Sequence, residues 1–250
     1  MALFKTAITF GLVNIPVRLN PVIKNNDTSF NYLHKTCLNR VNYIKYCPHC
    51  KKDVKNKDLI KGYEYSDDKY VTFDDEDFEK LKSNEDKSID IISFVNFSEI
   101  DPIYFEKSYS LKIEGKSSKA FSLFKEALKK SKKVAIAKTV LGSKSYYVVL
   151  RFGEDNIIMT TLYYDEEINI DKENLENKFT DKEMDLALKL IDSMSDKFEA
   201  SKYKDDYQDK IKEAIDKKIA GKTIKQAKSK KKTTINNLME ALEKSLKDQK

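Results

Sequence analysis

Every cysteine and both histidines of the chain lie between residues 34 and 50, in the run His34-Lys-Thr-Cys37 followed by Cys47-Pro-His-Cys50. Two short pairs, His34-x-x-Cys37 and Cys47-x-x-Cys50, are separated by nine residues, the kind of spacing a tetrahedral Zn2+ site uses. Each pair turns back on itself to present two ligands, and the intervening stretch closes the loop. A CCCH shell of His34, Cys37, Cys47 and Cys50 leaves no open position for water, so the expected cofactor is structural Zn2+, stabilising a loop-rich element without a core of its own. His49 is the competing ligand, but inside the C-P-H-C turn it is harder to ligate together with its neighbours. Free thiols and two surface histidines are the plain alternative.

The same segment is basic. Lys35, Arg40, Lys45, Lys51, Lys52, Lys55, Lys57 and Lys61 interleave with Tyr43 and Tyr46, and only Asp53 and Asp58 oppose them between residues 34 and 61. Side chains of this kind neutralise phosphates, with an affinity that falls steeply with salt. The second Cys pair is not followed by an H-x3–5-H helix, so a base-reading finger is not expected. Contact should be to backbone and shape, independent of sequence. A second basic region lies at residues 222–250, where nine lysines face Glu240, Glu243 and Asp248, with a cluster at Lys228, Lys230, Lys231 and Lys232. The whole chain is +6, so residues 62–221 form an acidic body between two basic regions. That asymmetry implies a polyanionic partner met by particular elements; a solvated Lys-rich loop and tail is the bland alternative.

Signatures of catalysis are absent. Gly115-Lys-Ser117 is not a phosphate-binding loop, because Ser110 stands where the first glycine should be. There is no G-x-S-x-G, and both histidines belong to the Cys cluster. Asp74-Asp-Glu-Asp77 could hold Mg2+ in a metal-dependent nucleic-acid enzyme, but carboxylates at a helix start more often serve the cap and dipole. The chain is expected not to be an enzyme. A protein-only scaffold is the other rival, and it leaves the two basic regions unexplained.

The elements that must position these residues begin with an alternating stretch at 6–24, one or two strands in which Pro16 and Pro21 favour edges or turns. After the Cys/His segment, a strand at Lys69–Phe73 leads into a short helix over 74–83 capped by Asp74 or Asp75. Residues 88–113 are β-rich. Ser117 or Ser118 should cap a helix running to Lys130 with the stripe Phe121, Phe124 and Leu128. Strands at 134–141, 146–152 and 156–164, joined by turn signals, read as an antiparallel meander. The pattern becomes helical near residue 175. Thr180-x-x-Glu183 is a capping box, and Met184, Ala187, Leu188, Ile191, Met194 and Phe198 recur at helical spacing. A second helix over 203–219 stops at Gly221. Beyond a low-complexity linker at 222–232, Ile235, Leu238, Met239, Leu242 and Leu246 share one face of a terminal segment. With no other helix nearby in sequence to bury against, it reads as a docking helix.

No secretory leader pattern or apolar run approaching the ~18 residues of a membrane helix is evident. With an odd cysteine count, this points to a soluble protein of the reducing cytoplasm, without membrane contact.

Taken together, several motifs resemble those of bacterial Ku, the DNA-end-binding family of prokaryotic non-homologous end joining. They are Ile8-Thr-Phe-Gly-Leu-Val-Asn-Ile-Pro-Val-Arg18-Leu, Lys61-Gly-Tyr-Glu-Tyr65, Tyr70-Val-Thr-Phe-Asp-Asp-Glu-Asp77, Ile100-Asp-Pro-Ile-Tyr-Phe105, Lys119-Ala-Phe-Ser-Leu-Phe124, Val134-Ala-Ile-Ala-Lys138 and Leu190-Ile-Asp-Ser-Met194. The resemblance implies an α+β fold: a β-barrel core over 1–175 carrying a bridge segment at 25–61, a helical dimerisation arm at 176–221 and a basic tail at 222–250. It implies a ring-shaped homodimer, nucleoid-associated, threaded on double-stranded DNA ends, that recruits an ATP-dependent DNA ligase. The expected DNA contacts are Arg18, Lys35, Arg40, Lys45, Lys51, Lys52, Lys55 and Lys61, with Lys228, Lys230, Lys231 and Lys232 in the tail. Leu238, Met239, Leu242 and Leu246 are the expected ligase-docking residues.

Overall fold

The computed structural model describes residues 4–80, 88–115, 119–142, 144–171, 179–224 and 238–248. These divide into two units, Met1–Asn25 with Tyr32–Ile170 and Asn26–Asn31 with Asp171–Lys250.

In the first unit, period-2 alternation creates the barrel. Strands β1 (Phe4–Phe10) and β2 (Val13–Pro21) form a hairpin closed at Phe10↔Val13. Gly11 takes φ +58° at the first loop position, as a type II′ hairpin requires. On β2, Ile15, Val17 and Leu19 are buried while Asn14 and Arg18 face outward. Pro16 lies inside this strand, opposite Ala7, not at an edge or turn. The β2–β8 ladder begins one residue later, at Val17, and the Pro16 carbonyl accepts from the Glu114 N–H at 3.0 Å.

Further along come β3 (Tyr46–Cys47), β4 (Lys52–Asp53), β5 (Lys61–Ser66), β6 (Lys69–Phe73) and helix α1 (Asp75–Lys80). Then follow β7 (Ile89–Asn96), β8 (Phe105–Ile113), α2 (Lys119–Ser131), β9 (Lys133–Leu141), β10 (Lys144–Gly153) and β11 (Asn156–Leu162). The closed barrel runs β1-β2-β8-β11-β10-β9-β7, and β7 closes on β1 in parallel at Ile8↔Ile89. The meander β9-β10-β11 is antiparallel as its turns suggest. Closure removes the free edges that an open sheet would expose.

Alternate residues fill the interior, among them Ile8, Leu111, Ala137, Leu150, Ile157 and Met159. Phe121, Phe124 and Leu128 of α2 join this core as their i, i+3, i+7 spacing predicts. The capping serines expected before α2, Ser117 and Ser118, lie outside the described residues.

Residues 22–80 are inserted between β2 and β7, and none of them is buried. Two short hairpins, β3–β4 and β5–β6, a one-turn helix at Asn56–Asp58 and α1 supply what regular structure there is. The segment resembles a strap held by turns, not a folded layer.

The helical unit contains α3 (Asp181–Met194), α4 (Asp206–Ile219) and α5 (Leu238–Asp248). Thr180 and Glu183 form the expected capping box on α3. Asp205 caps α4, accepting from the N–H groups of Tyr207 and Gln208. That helix ends on Gly221 at φ +71°, with Lys222 N–H bonded to the Lys217 carbonyl at 2.8 Å, the Schellman pattern that favours glycine. Residues 26–31 belong to this unit, because the N–H and the hydroxyl of Thr28 both donate to Gln208 Oε1, at 3.1 and 2.9 Å. The terminal segment does have a helix to lie against: α5 packs on α3. Separation along the chain hides the partner, since a long linker lets two amphipathic helices meet.

Candidate nucleic-acid interface

The strap is built from two turns of one form. In the first, His34 N–H bonds the Asn39 carbonyl and Leu38 N–H bonds the His34 carbonyl, both at 2.8 Å. Leu38, the residue after Cys37, is left-handed at φ 56°, and an isolated bridge pairs Leu33 with Arg40. In the second, Cys47 pairs with Lys52 across β3–β4, Cys50 N–H points at Cys47 Sγ from 3.4 Å, and Lys51 is left-handed at φ 52°.

Each turn brings the two members of its pair close together. His34 Nδ1 stands 3.2 Å from Cys37 Sγ, close to the roughly 3.5 Å that separates N and S ligands on tetrahedral Zn2+. The Asn39 backbone N–H holds the Cys37 thiol below its ordinary pKa, and the Cys50 backbone N–H does the same for Cys47. The hydrogen bond with Cys47 pushes Cys50 up. His49 Nδ1 lies 4.0 Å from Cys50 Sγ. The spacing in the first turn matches half of a tetrahedral shell. Among the described residues no three potential ligands are gathered at one point, so the two halves stand apart.

Lys35, Arg40, Lys45, Lys51, Lys52 and Lys55 are all exposed on this strap. Lys61 is placed differently: its Nζ lies 3.3 Å from Asp75 Oδ1 and 4.4 Å from the centre of the Phe78 ring. Asp74 and Asp77 are occupied in a reciprocal cap on α1, each backbone N–H donating to the other's carboxylate. The acidic run thus holds a helix start and two lysines, Lys61 and Lys80.

Arg18 stands on the outer face of the barrel. Its register partners are Lys5 on β1 and Lys112 on β8, so three cations lie side by side across three strands. Glu114 neutralises Lys5 at 2.6 Å. Among the described residues Arg18 and Lys112 have no carboxylate partner. Like charges placed directly opposite across strands are destabilising, so this row costs stability and attracts anions. Lys5 and Lys112 were not singled out from the sequence; alternation puts them outward, but only register brings them beside Arg18.

Of the tail residues, Lys228, Lys230, Lys231 and Lys232 lie outside the described residues. Leu238 and Met239 begin α5, and Leu242 and Leu246 are half-buried there.

The family model described as the Ku70/Ku80 beta-barrel domain matches residues 9–186. The chain belongs to the Ku family. Its relatives include the non-homologous end joining protein Ku of Lachnoclostridium phytofermentans, 42% identical over 97% of this chain and 95% of that one. The Ku of Desulfitobacterium hafniense is 40% identical over 97% of this chain and 86% of its own length, and that of Bacillus subtilis 36% over 88% and 72%. The Ku match runs from β1 through the first turns of α3, taking in the whole strap. Among the described residues no helix is long and apolar enough to cross a membrane.

Proposed function

We propose that this Ku chain binds double-stranded DNA ends without regard to sequence, as a homodimeric ring threaded by the duplex, in end-joining repair. The observation that carries the reading is the strap: a basic segment with no buried residue, projecting lysines and one arginine from turns on a Ku barrel. Such a surface meets phosphates, not bases, and phosphate contacts position a duplex while reading none of its sequence. A ring loads only where the duplex ends and then slides on the same generic contacts.

The arm supports the dimer. Leu188, Ile191, Met194 and Phe198 on and after α3 are 50–74% exposed, an apolar stripe that a second copy would cover by isologous exchange. His34, Cys37, Cys47 and Cys50 would hold a structural Zn2+ that draws the two turns together and stiffens the strap. Leu238, Met239, Leu242 and Leu246 would carry the contact to an ATP-dependent DNA ligase. The role is that of a binding protein, with no turnover of DNA.

The test is a gel shift with a linear duplex at ~0.1–0.2 M salt, where weak phosphate contacts have faded, challenged by the same sequence as a covalently closed circle. Failure of the circle to compete supports the threaded ring. Equal competition makes the chain an ordinary basic binder and sinks the proposal.

A further inference from the structure

Helix α5 is 11 residues long, short of the ~12–15 that an isolated helix needs to be even marginally stable in water. Its helical form must come from packing, and the helix it packs on is α3. The burial pattern agrees. Within 241–246, Ala241, Leu242 and Leu246 are half-buried, while Glu243, Lys244 and Ser245 are exposed. On α3 the half-buried apolar residues are Leu186, Ala187 and Leu190, one side of the helix, while Leu188 and Ile191 on the adjoining side are exposed. Helix α3 is thus apolar over a wider arc than one partner covers, and part of that arc is taken by the chain's own tail.

We infer that α5 is a latch: α3 holds it folded and covers the apolar face of the tail, so that a partner protein reaches Leu242 and Leu246 only by displacing α3. The inference rests on the proposal that these leucines dock the ligase, but the packing itself can be tested without that partner. Occlusion lowers the apparent affinity of any such partner by the fraction of tail that is free. It also gives the arm a way to report its state: whatever rearranges α3 alters how often the tail is available.

The experiment is amide hydrogen exchange on the full chain, read at residues 242–248 and compared with a free peptide of residues 238–248. The latch predicts exchange at least 10-fold slower in the chain than in the peptide, and a rise to the peptide's rate in Leu190→Asp. Leu246→Ser, which leaves α3 intact, should produce the same rise and keep the barrel amides unchanged. Equal exchange in the unaltered chain and the peptide overturns the latch, as does protection that survives both substitutions. Ligase capture is scored separately, by pull-down with the purified ligase. If Leu190→Asp frees the tail and capture does not rise, the ligase reading fails while the latch stands.

Discussion

Leu38 and Lys51 occupy the same place in two matching turns: each directly follows the second ligand of a pair, and each is left-handed, at φ 56° and 52°. Non-glycine residues avoid this conformation, at a cost of about 1–2 kcal/mol each. Its repetition beside His34/Cys37 and beside Cys47/Cys50 gives both turns one backbone form, though their sequences differ.

If those turns hold Zn2+, the purified chain carries one ion per chain by metal analysis, and Cys37→Ser and Cys47→Ser each lose it. The strap, having no core, should then become the first site of proteolysis while the barrel stays folded. A full-length chain purified without chelator and free of zinc would end this reading.

Charge reversal of Arg40, Lys45 and Lys52 together should weaken binding to all duplex ends alike. Each lost phosphate contact removes about 0.9 from the slope of log affinity against log salt, so the triple change should flatten it by up to ~2.7. An effect confined to some end sequences would argue for base reading, contrary to the proposal.

The cation row across β1, β2 and β8 makes a prediction of opposite signs. Arg18→Gln with Lys112→Gln removes like charges held side by side and should raise stability by about 0.2–1 kcal/mol. The same pair should lose DNA affinity. Loss of both stability and binding would mean that the row serves packing instead.

Gln208 accepts two hydrogen bonds from Thr28 across 180 residues of sequence. Gln208→Met leaves both donors without their acceptor and should destabilise the helical unit by about 1–3 kcal/mol. Gln208→Glu keeps an acceptor and should restore most of the loss, in chemical denaturation and in trypsin cleavage after Lys24. Equal behaviour of the two variants would rule out the hydrogen bonds as the cause.

The start of α3 should loosen in acid. Glu183 is held below the usual carboxylate range, chiefly by the Thr180 backbone N–H and then by its hydroxyl. A depressed carboxylate contributes stability that is present above its unfolded pKa, near 4.3, and is lost as pH falls through the lower folded value. Helical signal from the arm should therefore decline below about pH 4, and Glu183→Gln should remove that part of the pH dependence. A decline that is the same in the variant would place its cause elsewhere.

Much of this was legible in the residues. The alternation in β2, the α2 stripe and the Thr180 box each follow from local sterics and side-chain period, which act over a few residues and survive translation into structure. The two turns at His34–Asn39 and Cys47–Lys52 were legible for the same reason, since an i, i+3 pairing of like residues marks a turn. The contact between Lys61 and Asp75 was not legible, because Asp75 is 14 positions away on another element. The docking helix was read as lacking a neighbour because α3 lies beyond a linker whose composition says nothing about where it leads.

By itself, then, the sequence determined the barrel's inward and outward residues, the two Cys/His turns, the basic strap and the helices of the arm. These rest on local conformation and on the hydrophobic period. Only the tertiary structure decided that Arg18 stands between Lys5 and Lys112, that Thr28 is fastened to Gln208, and that α5 covers part of α3. Those are matters of register and long-range packing, in which many pairings satisfy the same local pattern and only the folded whole selects one.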